Sequence, residues 1–182
     1  MSPITGHVFI AASLDGFIAR PDGGIDWLNP YAATGEDHGY HTFMKAMDGI
    51  VMGRGTFETA LSFGGWPYEK PVTVMSTTLT EKDLRPDLAA KVQIETASPE
   101  AVMAKLAAHG MRRVYVDGGK LIQSFLRTGL IAELVVTHVP ILLGQGVPLF
   151  GALAHDVALR HLGTASFPSG LVQSKYEIIP RG

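Results

Sequence analysis

Residues 114–129 read VYVDGGKLIQSFLRTG. Val114, Tyr115 and Val116 have the β-branched and aromatic character of the end of a buried strand. Leu121, Ile122, Phe125 and Leu126 recur at helical spacing and mark the inner face of a helix. Gly129 then stops it, as a residue free to take positive φ. Gly118 and Gly119 therefore lie at a strand-to-helix turn. Glycine there lets the backbone approach a ligand closely, and the unpaired N–H groups of the helix start favour an anion. A tight turn with no ligand accounts for the same residues, and the full G-x-G-x-x-G fingerprint is absent.

The same pattern recurs elsewhere. Residues 50–57 read IVMGRGTF, an apolar strand running into glycine, arginine and a hydroxyl residue at a helix start. Gly53 and Gly55 permit close approach, and Thr56 can cap the helix or donate to a phosphate. Arg54 offers a planar charged fork suited to phosphate, or equally a surface ion pair. Residues 72–78, VTVMSTT, end a third strand in hydroxyls. Ser76, Thr77 and Thr78 read as ordinary turn chemistry or as ligand donors. Three strand ends at one edge of a parallel sheet would suit an extended, multiply phosphorylated ligand such as a dinucleotide.

Other segments fit that order. His7 to Ser13 reads as a strand, followed by Phe17 to Ala19. Glu36 to Met47 reads as a helix ended by Gly49, and Thr56 to Leu61 as a brief one. Val92 to Glu95 is a strand. Ser98 is an N-cap, Pro99 holds the first helical position, and Gly110 terminates this helix. Glu133 to Val139 is a strong strand, and Ala158 to Phe167 with Leu171 to Ile179 predict a terminal hairpin. Strands alternating with helices predict a largely parallel α/β sheet with antiparallel strands added at the end.

The chain has 182 residues, 46% hydrophobic and 18% charged, which suits a single domain over 1–182. Its net charge of −2 gives no basic surplus for nucleic acid. No run reaches membrane-span length, and the N-terminus lacks a signal-peptide pattern. With no cysteine there is no disulfide or thiol nucleophile, and a cytoplasmic location is expected.

VFIAASLDGFIA (8–19), VMGRGTFE (51–58), VDGGKLIQSFL (116–126) and LVVTHVPILLGQGVPLF (134–150) together resemble the dihydrofolate reductase superfamily. Ser13-Leu14-Asp15-Gly16 and the acid-Gly-Gly form at Asp117 are similar to the branch containing the RibD C-terminal domain, the reductase domain of riboflavin biosynthesis. The resemblance implies a dihydrofolate reductase-like fold and NADPH as cofactor. It implies that Ala11 and Ala12 present backbone groups to the nicotinamide amide. Gly53, Arg54 and Thr56 would hold phosphates, and Ser76 and Thr77 would line the adenine ribose and its 2′-phosphate. Gly118, Gly119, Lys120 and Leu121 would wrap the pyrophosphate, and Thr137 would sit near the substrate floor. Arg54 and Lys120 favour NADPH over NADH, since a 2′-phosphate rewards cations.

A proton must accompany hydride transfer, and Asp37 and Asp15 are the catalytic candidates. Counted back from Met52, Asp37 falls where dihydrofolate reductases keep their substrate-binding carboxylate. It reads equally as part of a capping box with Thr34. Asp15 orients a loop over the nicotinamide or closes an Asp-Gly turn. Trp27 packs on a planar substrate or covers the core edge. His138 is a core histidine or a ring near the substrate. His38 and His41 have a metal-compatible spacing with Asp37, but nothing completes the geometry, and no metal is expected. A fused zinc deaminase would need P-C-x-x-C, which a chain without cysteine cannot supply.

The expected activity is NADPH-dependent reduction of a small heterocyclic substrate. The resemblance implies the 5-amino-6-(5-phosphoribosylamino)uracil reductase type, as a homodimer. Reduction of dihydrofolate or another pterin, and a nucleotide-binding module without catalysis, are the alternatives.

Overall fold

The computed structural model describes residues 3–180. β1 (Thr5–Ser13) and β2 (Phe17–Ala19) lead into α1 (Asn29–Ala32) and α2 (Tyr40–Lys45). Then come β3 (Gly49–Gly53), α3 (Arg54–Leu61), β4 (Val72–Met75), β5 (Val92–Glu95) and α4 (Pro99–Ala108). β6 (Arg113–Asp117), α5 (Gly119–Arg127), β7 (Ile131–Val139), β8 (Val147–Pro148), β9 (Leu159–Ser166) and β10 (Val172–Ile178) complete the order.

Eight strands form one sheet in the order β5-β4-β3-β6-β1-β7-β10-β9. The six from β5 to β7 are parallel, and β10 and β9 add antiparallel at the end. β2 and β8 form a separate small ribbon. The expected α/β sheet with an antiparallel C-terminal hairpin is the observed one.

Alternation along the parallel strands divides the core into two layers. Val51, Val114 and Val116 face one layer, where Ile122, Phe125 and Met103 cover them from α5 and α4. Ile50, Met52 and Tyr115 face the other, packed with Phe57 of α3 and bordered by Phe9, Tyr40 and Phe43. α4 starts as expected, with the Ser98 hydroxyl accepting from the Ala101 N–H at 3.3 Å. α5 closes with Gly129 at φ +69° while the Leu130 N–H returns to the Phe125 carbonyl at 3.0 Å.

The helix expected over Glu36 to Met47 forms only at Tyr40–Lys45. His38 and Gly39 take positive φ, which breaks the helical path, and the Asp37 carboxylate accepts the His41 N–H at 3.1 Å. Of Pro140 to Phe150, Leu149 is buried in the core, while Leu142 and Phe150 are exposed.

His7 is buried at the end of the sheet opposite the α3 and α5 helix starts, bonded to Thr5 at 2.9 Å and 3.4 Å from Arg113. Burial, aided by the Arg113 charge, lowers its pKa to about 4.

Because β3 and β6 are neighbours, the turn after β6 meets the start of α3. Gly118 sits there at φ +103°, and a Cβ on it would come within 2.6 Å of the Thr56 hydroxyl. Gly118→Ala is therefore expected to cost about 1–3 kcal/mol, from positive φ combined with that contact. Urea denaturation checks this, and an unchanged midpoint would show that the turn can relax.

Candidate active site

The parallel strands end together, and a cleft opens beyond them. Its larger cavity, about 820 Å³, is bordered by β1, β2, the starts of α3 and α5, and the Phe63–Tyr68 loop. A smaller cavity of about 360 Å³ lies beyond the ends of β4 and β5. Arg54 and Met75 border both, so the two cavities adjoin at the Arg54 side chain.

Most of the expected binding residues converge here. Ala11, Gly53, Arg54, Thr56, Gly118, Gly119, Lys120 and Leu121 line the larger cavity. Ser76 and Thr77 line the smaller one with Thr78 and Glu95. Arg54 also makes the surface ion pair that was its alternative, to Glu58 at 2.6 Å, and donates to Thr78 at 2.8 Å. Ser76 accepts from the Thr78 and Leu79 N–H groups at 3.2 and 3.0 Å, a turn role at the cavity edge. Glu95 is paired with Lys105 of α4.

Other expected residues lie outside the cleft lining. Ala12 points into the core, because alternation along β1 turns it away from the face that Ala11 shares with the cleft. Trp27 is buried with Val139 and Leu171, its indole N–H without a partner, so it covers the core edge. Thr137 is buried on β7, and its hydroxyl accepts from Gln173 at 2.9 Å. Asp37 is exposed, pairs with His41 and accepts its N–H at the start of α2, while the Thr34 hydroxyl donates to the Tyr31 carbonyl and accepts the Glu36 N–H in place of the expected capping box. Asp15 accepts from Ser13 at 2.6 Å, Leu143 N–H at 3.1 Å and Gly144 N–H at 2.7 Å. Above all the Ser13 bond lowers its pKa, and Asp15 ties the loop after β7 to the β1–β2 turn. Neither candidate carboxylate faces the cleft. Among the described residues no group of three or more histidines and acids is gathered as for a metal ion.

Asp22, Glu58 and Asp117 line the cleft, and of these Asp117, at the end of β6, lies beside the Gly118–Gly119 turn. Burial raises its pKa to about 6, although the Tyr115 phenol and the Gly118 N–H favour its ionised form. Tyr115 donates to the Phe9 carbonyl at 3.0 Å. Burial and then the Asp117 charge also raise the pKa values of Tyr40, Tyr68 and Tyr115. An acid ringed by tyrosines thus sits beside the glycine turn. In the sequence it served only as a family marker. The available signal was its position, the last residue of a buried parallel strand immediately before Gly-Gly.

The donor set fits a dinucleotide. Two helix starts, the Thr56 hydroxyl, Arg54 and Lys120 face one cavity, and Gly118 leaves room beside Thr56 that a Cβ would fill. This fold and cleft define a dihydrofolate reductase-like domain. The chain belongs to the RibD C-terminal domain family, whose model matches residues 66–173. It is 33% identical over 162 residues to the uncharacterized protein YwjB of Bacillus subtilis (strain 168), covering 88% of this chain and 90% of that one. A crystal structure from Shewanella sp. PV-4, provisionally assigned to riboflavin biosynthesis, superposes with a TM-score of 0.89 at 40% identity, covering 97% of this chain and all of that one. Dihydrofolate reductase from Enterococcus faecalis, complexed with NADP(H), shares the fold with a TM-score of 0.66 at 16% identity, covering 96% of both chains. Among the described residues no helix is long and apolar enough to cross a membrane.

Asp117 and His7 oppose each other in pH dependence. Folded His7 titrates near 4 instead of 6.5, so between those values the unfolded chain binds more protons and stability rises with pH. Folded Asp117 titrates near 6 instead of 3.8, so the folded chain binds more protons there and stability falls as pH rises. Asp117→Asn removes the second slope. The variant is expected to be more stable than the parent at about pH 7.5, by on the order of 1–3 kcal/mol. It should also lose stability more steeply as pH falls from about 6.5 to 4. Thermal unfolding across that range is the measurement, and parallel curves for parent and variant would exclude a buried, perturbed Asp117.

Proposed function

We propose that this chain is an NADPH-dependent reductase of a small nitrogen heterocycle, of the aminopyrimidine kind that the family resemblance implies. The observation that carries the reading is convergence on one cleft: two glycine-opened helix starts, two cations and one enclosed carboxyl all face the same cavity. NADPH, when bound, supplies the hydride. The chain's own residues position and protonate.

Thr56, Lys120 and the N–H groups at the starts of α3 and α5 would bind the phosphates, with Arg54 reaching toward the smaller cavity and the 2′-phosphate. Ser76, Thr77 and Thr78 would line the adenosine end. Ala11 would place a backbone group at the nicotinamide end, where β1 runs past the cavity. Asp117 would hold a proton near a substrate nitrogen and release it as the adjacent carbon is reduced. A carboxyl titrating near 6 suits that task, because it is neither fully ionised nor a weak donor. Water exclusion comes from the aromatic wall around it.

The pterin alternative draws less support, because the carboxylate it relies on, Asp37, is exposed and engaged with His41. The binding-module alternative is less economical, because the cavity extends past the cofactor cradle to Phe9, Tyr115 and Asp117. Pairing of two copies remains part of the proposal, supported by the exposed Leu142 and Phe150 in the C-terminal half.

Calorimetric titration with NADPH and NADH tests the cofactor. NADPH is expected to bind more tightly, and Arg54→Ala to weaken it about tenfold while changing NADH little, as for loss of one charge-assisted contact. Absence of binding to folded protein by either cofactor would overturn the reading. For the proton, Asp117→Asn is expected to lower kcat by about 10²–10⁴ while NADPH affinity stays near that of the parent. Retention of kcat would assign the proton to another group.

A further inference from the structure

The smaller cavity, the 2′-phosphate end of the cofactor site in the reading above, has two charged residues in its lining, Arg54 and Glu95. A chain of bonds fixes both around one turn. Arg54 donates to the Thr78 hydroxyl at 2.8 Å, that hydroxyl lies 3.3 Å from the Ser76 hydroxyl, and the Ser76 N–H donates to the Glu95 carbonyl at 3.0 Å. Arg54 is not free to neutralise Glu95 as well, because it is paired with Glu58 and its charge also reaches Asp83. The Glu95 carboxylate is held instead by Lys105 of α4. Strand alternation explains that pairing. Val92 and Ile94 of β5 face the layer that contains Phe57, which turns Glu95 toward the opposite face of the sheet, where α4 packs. The Glu95 side chain is only 16% exposed, whereas that of Lys105 is 52% exposed. Among the described residues, none from α4 lines either cavity.

An acid beside the adenosine ribose accepts a hydrogen bond from a 2′-hydroxyl and repels a 2′-phosphate. A cation held against that acid cancels most of the repulsion. The cancellation counts most where the carboxylate is enclosed, since water and salt screen it least there. Given the NADPH reading above, on which this step rests, we infer that Lys105 is a positioning residue for cofactor selectivity: by holding and neutralising Glu95 beside the 2′-phosphate end, it sets the preference for NADPH over NADH. The lysine acts through Glu95 and not by touching the cofactor.

A double-variant cycle tests the inference. NADPH and NADH are titrated calorimetrically into the full chain as parent, Lys105→Met, Glu95→Gln and the double variant. Lys105→Met is expected to reduce the ratio of NADPH to NADH affinity about tenfold, chiefly by weakening NADPH. The double variant has no acid to release, so its ratio is expected to match that of Glu95→Gln alone. An unchanged ratio in Lys105→Met overturns the inference, and this includes the case in which disturbed α4 packing weakens both cofactors alike. An equal loss when Lys105→Met is made on the Glu95→Gln background also overturns it, because the lysine would then contact the phosphate directly. The parent titration separates the two readings. A parent that prefers NADPH, with the ratio unmoved in Lys105→Met, removes this inference alone. A parent that binds neither cofactor removes the reductase reading and this step with it.

Discussion

The close approach of the Gly118 turn to Thr56, which leaves no room for a Cβ on residue 118, is the joint on which the cleft depends. It brings together two strand-to-helix turns that lie more than fifty residues apart in sequence. It exists because β6 inserts between β3 and β1 rather than following β5 at the sheet edge. That insertion aligns the carboxyl ends of β3 and β6, with Met52 opposite Asp117. The Gly53–Thr56 and Gly118–Leu121 turns then face one space instead of two. α5 secures the arrangement from behind, through Ile122 and Phe125, both fully buried. Burying such side chains contributes roughly 1.5–3 kcal/mol each. The apolar layer under α5 thus holds the Gly118 turn at the edge of the cleft.

The opposite face of the sheet governs the chemistry. Phe43 packs at a tilt against Phe9 and edge to face against Tyr115, with ring centroids 5.1 and 5.3 Å apart. Tyr68 is linked through Trp66 to Phe57. The packing that builds this layer also shields Asp117 from solvent on its inner side. The raised pKa of that carboxyl is thus a consequence of the core beside it, and stability at neutral pH is lower than a neutral residue there would allow. At the far end of the sheet, His7 is kept uncharged by the same means. The chain therefore carries two buried titrating groups of opposite slope, one with no access to the cleft and one within it.

The order of strands and helices was legible in the sequence because each element announces itself locally, by β-branched runs, helical spacing and glycine stops. Ser98 and Gly129 act as caps where the sequence placed them. The glycine turns after β3 and β6 were legible for the same reason. What was hidden depends on the third dimension. Asp37 and Asp117 are both aspartates near element ends, and only strand order decides which one meets the cleft. The shortened α2 follows from positive φ at His38, a non-glycine residue whose sequence gives no notice of it. Ala11 and Ala12 read alike, yet period-two alternation sends one to the cleft and the other to the core. Trp27 behaves similarly, since its burial depends on Val139 and Leu171 arriving from distant strands.

The placement of charge follows from the same topology. Cations come from helix starts, where Arg54 and Lys120 add to the partial positive charge of unpaired N–H groups. The acid comes from a strand terminus two residues before such a start. At Asp117-Gly118-Gly119 these two requirements meet within three residues, so the cleft turns from anion-seeking to cation-seeking over a very short distance.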